Sequence, residues 1–371
     1  MIRPLWIEVD LGALRSNLKA IKNYLSPGVK VVATIKQSAY GHGLIPIAKE
    51  LSKSGVDFFG LGSVEEAISL RENGFRGSLL VLSAVLGEFV DAFIKHKIIP
   101  TIVDLDFARK LDQAAGAAKK ILPIHVKIDT GMGRLGPCHS QAHIFIKRLA
   151  GFKNLSLEGI YTHFPVADTD RDFTNRQIGA FNRFIEVLAS QKIRFKFCHC
   201  ANSIGIINYP NAHFNMVRPG LILYGVKPAQ RVNLEVKPVL SLKSKVIFVK
   251  PVSKGRGISY GRNYIVKSLR SIATVAVGYA DGYPWALSNK GQVIIKNHFF
   301  NLAGRVCMDH IMVDLGKRVD IKAGDEVILL GEAKGLRISA EELARKANTI
   351  PYEIISCFSL KIPRIYKNSL I

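Results

Sequence analysis

The regular alternation of short apolar segments with helical patterns, over about the first 225 residues, constrains the fold more than any other feature. Such alternation is typical of parallel strands joined by helices, and eight repeats predict a closed (β/α)8 barrel. Asp10 and Ser63 stand where helix N-caps belong, and Glu66 completes a capping box with Ser63. The predicted strands lie at residues 30–35, 58–61, 79–82, 98–103, 122–129, 157–163, 195–199 and 216–224.

After about residue 230 the rhythm changes to short strands separated by turns, at residues 244–249, 271–277, 292–295, 310–315 and 326–330. One helical pattern opens near Ser339. We therefore predict an α/β chain with a (β/α)8 barrel over residues 1–230 and a mostly-β domain over residues 231–371. The first few residues are candidates for the second domain, and the lack of a long linker indicates tight packing between the two parts.

Several classes of protein are excluded by general sequence features. No apolar run is long enough to span a membrane, and the N-terminus lacks the basic start, apolar stretch and cleavage site of a signal peptide. The five cysteines are scattered, which suits a reducing cytoplasm. Cys198 and Cys200 flank His199, but no second cluster stands at metal-ligand spacing, so we expect no metal site.

The charge balance is strongly basic. The chain has 52 lysines and arginines against 29 aspartates and glutamates, a formal net charge of +23. Such an excess attracts nucleic acids and small anions. The basic residues are spread along the whole chain, however, and no known nucleic-acid-binding pattern accompanies them. We therefore expect a small-molecule substrate and neither a nucleic acid nor a membrane as partner.

Chemically versatile side chains follow the C-terminal ends of the predicted strands, where barrel active sites form. Lys36, Arg134, His163, Ser203 and Arg218 all stand at such ends or in the segments directly after them. A lysine desolvated there favours its neutral amine, which can condense with the aldehyde of a cofactor. Each residue alone has a structural alternative, such as a strand-end lysine or a core histidine. It is their clustering that predicts a site.

A series of short motifs makes the interpretation more specific. The first part of the chain has KQSAYGHG at residues 36–43, MGRLG at 132–136, GIYTHF at 159–164 and VRPGL at 217–221. The second part has ISYGR at 258–262, GYADG at 278–282, GRVCMD at 304–309, TIPYE at 349–353 and PRIY at 363–366. This ordered set resembles the alanine racemase family, which depends on pyridoxal phosphate (PLP). The resemblance covers nearly the whole chain.

The resemblance implies a racemase that interconverts L- and D-alanine by a two-base mechanism and supplies D-alanine for peptidoglycan. Lys36 would carry PLP and act as the base facing the α-proton of D-alanine. Tyr260 would take the proton of L-alanine from the opposite face, because a planar carbanion must be reprotonated from the other side to racemise. The two residues belong to different domains, so the resemblance implies a head-to-tail homodimer with shared active sites.

The resemblance also assigns residues to the cofactor. Arg218 would pair with the pyridine nitrogen of PLP and leave it largely unprotonated, since the guanidinium does not give up a proton. His163 would extend a hydrogen-bond network from Arg218 towards Tyr260, which helps a tyrosine to act as a base. The phosphate would be held by Tyr40, Ser203, Gly220, Leu221 and Tyr352.

For the substrate, the resemblance assigns a carboxylate contact to Arg134 and a second contact to the backbone of Met308. Arg134 would also reach the phenolic oxygen of PLP. Lys127 would be carbamylated and would orient Arg134. A solvated Lys127, or one paired with Asp129, is the alternative.

Two positions depart from the family pattern. Trp285 stands where an arginine is common, and Gln37 and Ser38 follow the PLP lysine where other pairs are usual. The first departure puts in doubt the electrostatics of the access path, which Asp168 and Arg305 would line. Neither departure removes a catalytic group.

Two other functions stay open at this point. A PLP-dependent amino-acid decarboxylase of the same barrel class usually places an acidic residue opposite the pyridine nitrogen, where Arg218 stands here. A non-catalytic PLP-homeostasis protein has one barrel and no second domain, so Tyr260 and the long stretch around it argue against that function.

Overall fold

The computed structural model describes residues 3–227, 234–318 and 320–369. The predicted domain junction between residues 230 and 231 lies outside the described residues. The chain opens with β1 (Leu5–Asp10), and eight further strands form the first half of the fold. They are β2 (Lys30–Thr34), β3 (Phe58–Leu61), β4 (Ser78–Val81), β5 (Thr101–Ile102), β6 (Leu122–Lys127), β7 (Leu155–Tyr161), β8 (Phe197–His199) and β9 (Met216–Val217).

The eight strands β2 to β9 run parallel and form a ring. Backbone hydrogen bonds order them as β9-β2-β3-β4 and as β5-β6-β7-β8. A parallel bridge between Leu80 and Ile99 joins the two runs on one side. On the other side the N–H of Arg218 donates to the carbonyl of Ala201 at 2.9 Å. The predicted (β/α)8 barrel is therefore confirmed.

Helices follow most strands and begin at the expected caps. The side chains of Asp10 and Ser63 accept the backbone N–H groups of Ala13 and Glu66, which satisfies donors that the first helical turn leaves free. The helices of this half are α1 (Leu11–Tyr24), α2 (Lys36–Tyr40), α3 (Leu44–Lys53), α4 (Val64–Glu72), α5 (Val90–Lys95), α6 (Leu105–Ala117), α7 (Ala142–Ala150), α8 (Arg171–Ser190) and α9 (Ser203–Asn208).

Two predicted strands are much shorter than expected, because a proline has no N–H to continue a strand ladder. Pro100 interrupts the segment 98–103, of which only Thr101–Ile102 is a strand. Pro219 interrupts the segment 216–224, of which only Met216–Val217 is a strand. The rest of that segment turns into a 3-10 helix at Leu221–Tyr224. This turn brings Gly220 and Leu221 to the end of the barrel.

The second half is mostly β, as predicted. Its strands are β10 (Leu240–Val252), β11 (Gly257–Ile258), β12 (Tyr264–Ile265), β13 (Arg270–Val275), β14 (Gln292–Ile295), β15 (His298–Leu302), β16 (Ile311–Asp314), β17 (Glu326–Ala333), β18 (Leu336–Ile338) and β19 (Arg364–Lys367). Two helices, α10 (Ala340–Ala347) and α11 (Pro351–Ser356), precede the last strand. In the main sheet β17 pairs with both β10 and β14, which closes a ring of six strands.

Both ends of the chain join this sheet. β1 pairs antiparallel with β10, with Leu5 opposite Ser244, and parallel with β19, with Ile7 opposite Arg364. Buried apolar side chains of the barrel and of the second half belong to one continuous core. Within the described ranges no helix is long and apolar enough to cross a membrane.

Candidate active site

The chemically versatile residues predicted from the strand ends meet in one cavity of about 350 Å³. This cavity opens where barrel strands end, as expected for the fold. Nine of the predicted site residues line it, namely Lys36, Tyr40, Lys127, Arg134, His163, Ser203, Arg218, Gly220 and Tyr352. Tyr161 lines it as well. The barrel therefore brings together residues that are far apart in the sequence.

Lys36 follows the first barrel strand and is partly buried. Burial lowers the pKa of its amine, the positive charge of Arg134 lowers it further, and the negative charge of Glu66 opposes them. The net shift is downward, so a larger fraction of the amine is neutral at a given pH than for a free lysine. A neutral amine is the form that attacks an aldehyde.

The segment directly after Lys36 has an unusual backbone. Gln37, Ser38, Ala39 and Tyr40 have φ angles of 53°, 53°, 54° and 53°, so α2 winds as a left-handed turn. In residues with a β-carbon this conformation costs roughly 1–2 kcal/mol each. Strain of this kind persists where surrounding contacts hold it. Lys36 and Tyr40 lie at the two ends of this turn.

Glu66 is a contact of this turn that the sequence did not reveal. Its Oε1 accepts the N–H of Ser38 at 2.9 Å, and its Oε2 accepts the N–H of Gly62 at 3.0 Å. In an ordinary capping box the carboxylate would bind the N-cap residue Ser63. Half of the box is present, because the N–H of Glu66 donates to Ser63 Oγ at 3.3 Å. The capping-box pattern therefore predicted the Ser63 cap correctly, but it did not identify the two N–H groups that the Glu66 carboxylate binds.

Arg218 is held by hydrogen bonds beneath the cavity. Its Nη1 donates to Nδ1 of His199 at 2.6 Å and to the carbonyl of His199 at 3.0 Å. Its Nη2 donates to the carbonyls of Thr162 at 2.7 Å and Cys200 at 3.1 Å. His163 Nδ1 lies 3.4 Å from the same Nη2. Among the described contacts none uses Nε, so this donor is free to meet a ligand.

The arginine fixes the protonation of two histidines behind it. A guanidinium only donates, so Nδ1 of His199 must accept, and its proton sits on Nε2. That N–H donates to Nδ1 of His125 across 2.9 Å. Burial, then the charge of Arg218, holds the pKa of His199 well below its usual range and lowers that of His125 to about 3. Both rings are therefore neutral at physiological pH, and Arg218 carries the positive charge.

Lys127 is the least satisfied charged group of the cavity. It is only 3% exposed, and its Nζ has no hydrogen-bond partner in the described part of the chain. It lies 4.7 Å from the centre of the Tyr161 ring. Asp129 is occupied elsewhere, because its carboxylate accepts three backbone N–H groups in the loop at residues 131–133. Burial and then the charges of Arg218 and Arg134 lower the pKa of Lys127.

The opposite end of the cavity is built from small and hydroxyl-bearing residues. The N–H of Gly220 donates to Ser203 Oγ at 2.9 Å. A β-carbon at position 220 would lie 2.8 Å from the hydroxyl of Tyr40, so only glycine fits without displacing it. The rings of Tyr40 and Tyr352 lie 6.3 Å apart. Leu221 follows Gly220 at the start of the 3-10 helix, although its own side chain is buried in the core.

Three predicted site residues do not line this cavity within the chain, namely Leu221, Tyr260 and Met308. Tyr260 and Met308 are 71% and 54% exposed on the second half of the fold. Arg305, predicted on the access path, packs against Gly261 and stacks over Trp285 at 5.8 Å. Asp168 lies close enough to Tyr352 to contribute, after burial, to raising the pKa of that phenol to about 12.

Sequence models of two successive domains match the chain. The alanine racemase N-terminal domain matches residues 9–228, and the alanine racemase C-terminal domain matches residues 239–366. The chain belongs to the alanine racemase family. Together the two matches span most of the sequence, in the order that the motifs indicated.

Individual relatives agree with this assignment over their full lengths. The alanine racemase of Halothermothrix orenii is 40% identical over 371 residues, which cover 99% of this chain and 98% of the relative. That of Clostridium tetani is 39% identical, with 98% and 96% covered. The predicted activity of an alanine racemase, an isomerase of the PLP-dependent class, is confirmed by these relatives.

Solved structures of the family share the whole architecture. The alanine racemase of Clostridium difficile 630 superposes with a TM-score of 0.93 at 39% identity, covering 99% of this chain and 97% of the other. The enzyme from a D-cycloserine-producing Streptomyces lavendulae superposes with a TM-score of 0.95 at 30% identity, covering 99% and 98%. The decarboxylase and homeostasis alternatives are therefore set aside.

Proposed function

We propose that this racemase interconverts L- and D-alanine with two bases, Lys36 of one chain and Tyr260 of a second copy, and with PLP carried on Lys36. The observation that carries the proposal is the shared cavity of Lys36, Arg218 and Gly220. Three features lie at separate points of one pocket: an amine, a cationic hydrogen-bond donor and a closely approaching backbone. They match the aldehyde, the ring nitrogen and the phosphate of PLP, respectively.

The residues present fit this cofactor in two independent ways. The Nε–H of Arg218 is available to the pyridine nitrogen, because its other donors are engaged with His199, Thr162 and Cys200. At the other end, Gly220 leaves free the space that a β-carbon would take beside the Tyr40 hydroxyl. Phosphate oxygens there would accept from Tyr40, Ser203, Tyr352 and the backbone N–H of Leu221, and from the N–H of Gly220 in place of its bond to Ser203 Oγ.

When bound, PLP supplies a conjugated ring that accepts the electron pair released as the α-proton of alanine leaves. Residues of this chain hold the proton and orient the substrate. The Lys36 amine holds or returns the proton on one face of the substrate, which its lowered pKa favours. Arg218 keeps its own proton and so limits the pull of the ring nitrogen, which discourages side reactions such as transamination. Arg134, at the rim of the cavity, would orient the substrate carboxylate.

The second base requires a second copy of the chain. Four large side chains, which we call the Tyr260 face, lie exposed on three segments in mutual contact: Tyr260, Tyr279, Trp285 and Met308. The contacts are the hydrogen bond from Ser259 Oγ to the carbonyl of Arg305 at 2.7 Å and that from the N–H of Ala280 to the carbonyl of Met308 at 3.1 Å. Exposed apolar patches of this kind mark interaction sites.

We therefore propose a head-to-tail homodimer in which the Tyr260 face of one subunit covers the cavity of the other. Tyr260 and Tyr352 would then narrow the space around the substrate to little more than a methyl side chain. Asp168 and Arg305 would line the access path, where Trp285 replaces the arginine common in the family. A network from Arg218 through His163 would reach the tyrosine delivered by the partner.

A modified lysine completes the proposed site. Because Lys127 is buried, unpaired and shifted towards its neutral amine, it can add carbon dioxide with loss of one proton and become a carbamate. The resulting anion would accept hydrogen bonds from Arg134 and would remove the cost of an unpaired buried amine.

We expect one carbamate per chain, seen as a single ¹³C resonance when the protein is equilibrated with ¹³C-labelled bicarbonate and examined by NMR. The signal should vanish in Lys127→Ala and persist in Lys147→Ala, whose side chain is exposed on α7. A spectrum without the resonance, or one that retains it in Lys127→Ala, contradicts the modification.

The function itself is tested with substrate. L-alanine incubated with the protein and PLP should become a racemic mixture, measured with an oxidase specific for D-amino acids. Absence of D-alanine under saturating PLP would reject the proposed function. The five cysteines are all free, which supports the proposal that the enzyme works in the cytoplasm and supplies D-alanine for peptidoglycan.

A further inference from the structure

The left-handed turn after Lys36 needs contacts that hold it, because four consecutive residues with β-carbons adopt positive φ angles there. Several backbone hydrogen bonds lie inside the segment, among them those from the N–H groups of His42 and Gly43 to the carbonyls of Ala39 at 3.1 Å and Ser38 at 2.8 Å. The N–H of Ala39 donates to the carbonyl of Ile35 at 2.8 Å, and that of Gly41 donates to the carbonyl of Gln37 at 3.0 Å. The N–H of Ser38, at the centre of the strained run, instead leaves the segment and binds a side chain of another helix.

That side chain is Glu66, in the first turn of α4. Each of its two carboxylate oxygens accepts one backbone N–H, from Ser38 at 2.9 Å and from Gly62 at 3.0 Å. Gly62 lies in the segment after β3, beside Lys36, since a β-carbon on Gly62 would be 3.3 Å from Cβ of Lys36. One carboxylate therefore ties together two backbone segments that flank the lysine.

We propose that Glu66 is a positioning residue for Lys36, because its carboxylate locks the turn that separates the Lys36 amine from the phosphate-binding hydroxyl of Tyr40. This inference rests on the proposed role of Lys36 as the PLP carrier. It extends to a residue that does not line the cavity itself. Glu66 acts through the backbone of Ser38 and Gly62.

The chemistry of the contact is specific to a carboxylate. Both partners are N–H donors, and only an ionised carboxylate offers an acceptor to each of them without offering a donor. A glutamine at position 66 would accept with its oxygen from one partner and would turn its own NH₂ against the N–H of the other. The charge matters as well, since Glu66 raises the pKa of Lys36 against the larger opposing effects of burial and Arg134.

The opposite side of the turn is held by the second half of the fold. Arg364 Nε donates to the carbonyl of Gly41 at 3.0 Å, and the Tyr366 hydroxyl donates to the carbonyl of His42 at 3.1 Å. These hydrogen bonds hold the two residues after Tyr40, and neither of them involves Ser38. Loss of Glu66 should therefore loosen the Lys36 end of the turn while the far end stays anchored and the chain stays folded.

The test compares Glu66→Gln with Glu65→Gln in the full-length protein. Glu65 is the matched control because it is exposed, adjacent on the same helical turn, and loses the same charge. Two properties are measured: the equilibrium dissociation constant of PLP by absorbance titration, and the pH dependence of Lys36 acetylation in the cofactor-free protein by peptide mass spectrometry.

In Glu66→Gln we expect the PLP dissociation constant to rise at least about tenfold, as for loss of a charge-assisted hydrogen bond. The midpoint of Lys36 acetylation should move to lower pH, because a negative neighbour is removed. Glu65→Gln should leave both values within about twofold of the unmodified protein. Should Glu66→Gln lower thermal stability yet keep both values of the unmodified protein, Glu66 is only a structural residue and the inference is wrong.

A second variant covers the case in which Glu66→Gln does not fold. Glu66→Asp keeps the charge but withdraws the carboxylate by one methylene, so PLP binding should weaken while the acetylation midpoint does not fall. Normal PLP binding in Glu66→Asp would overturn the inference. Lys36→Ala separates the proposed function from the role of Glu66. If PLP attaches covalently to Lys36→Ala, the proposed function fails. If attachment is lost there while the Glu66 variants bind PLP as the unmodified protein does, only the role of Glu66 is rejected.

Discussion

Replacement of Lys36 by alanine is expected to remove covalently bound PLP and to slow alanine racemisation by about 10⁴-fold or more. In the proposed function the variant loses the one side chain that both carries the aldehyde and serves as base on one face of the substrate. No other lysine of the cavity takes over. Lys127 also lines it, but it is only 3% exposed and its Nζ lies against the Tyr161 ring.

Two measurements check this result. Borohydride treatment followed by peptide mapping should locate PLP on the peptide with Lys36 in the unmodified protein and on none in the variant. The oxidase assay reports D-alanine formation. Lys30→Ala is the matched control, since Lys30 begins the same strand with an exposed side chain, and it should retain full activity. Racemisation at an undiminished rate in Lys36→Ala would contradict the assigned role.

Replacement of Tyr260 by phenylalanine should separate the two faces of the reaction. Without the phenol, proton removal from L-alanine is expected to slow by about 10²–10⁴-fold, the usual contribution of a positioned acid or base. Exchange of the α-proton of D-alanine, assigned to Lys36, should persist. Deuterium incorporation from heavy water, followed by NMR for each enantiomer, distinguishes the two.

The control for this variant is Tyr264→Phe. Tyr264 lies in the same part of the second domain, and its hydroxyl donates to Asp314 at 2.5 Å rather than pointing to a partner. Tyr264→Phe should lower the stability of the fold and leave the difference between the two enantiomers as in the unmodified protein. Equal loss of exchange for both enantiomers in Tyr260→Phe would contradict a dedicated role on one face.

The same two variants test whether active sites are shared between subunits. In a mixed dimer of Lys36→Ala and Tyr260→Phe, one site receives both intact residues and the other receives neither. Random mixing makes half of the dimers mixed, so roughly a quarter of full activity should return. If each site were built from a single chain, mixing the two inactive proteins would restore nothing.

The architecture was predictable because its signals are periodic. Short apolar runs alternate with capped helices, and the residues at strand ends converge because parallel strands of a barrel end on one side. Lys36, His163 and Arg218 were predicted as site residues in this way, and all three line the same cavity. The strand predicted at 216–224 was too long, since Pro219 and Gly220 break the ladder and redirect the chain.

Other features of the site have no signature along the sequence. Glu66 accepts from Ser38 in α2 and from Gly62 in the segment after β3, and only the folded barrel makes these segments neighbours. The proton positions on His199 and His125 follow from the direction of the Arg218 hydrogen bonds. The left-handed backbone after Lys36 was unexpected, because Gln37 and Ser38 carry β-carbons and show no preference for it.

The pairing of β1 with β10 also has a consequence for biosynthesis. Leu5 is translated before the barrel, yet its partner Ser244 is translated only after it. While the barrel is being made, β1 is therefore an unpaired apolar strand, a form prone to aggregation. Contacts so distant along the chain also slow folding. We expect expression of this enzyme to depend on chaperones that shield the exposed edge of β1 until β10 has been translated.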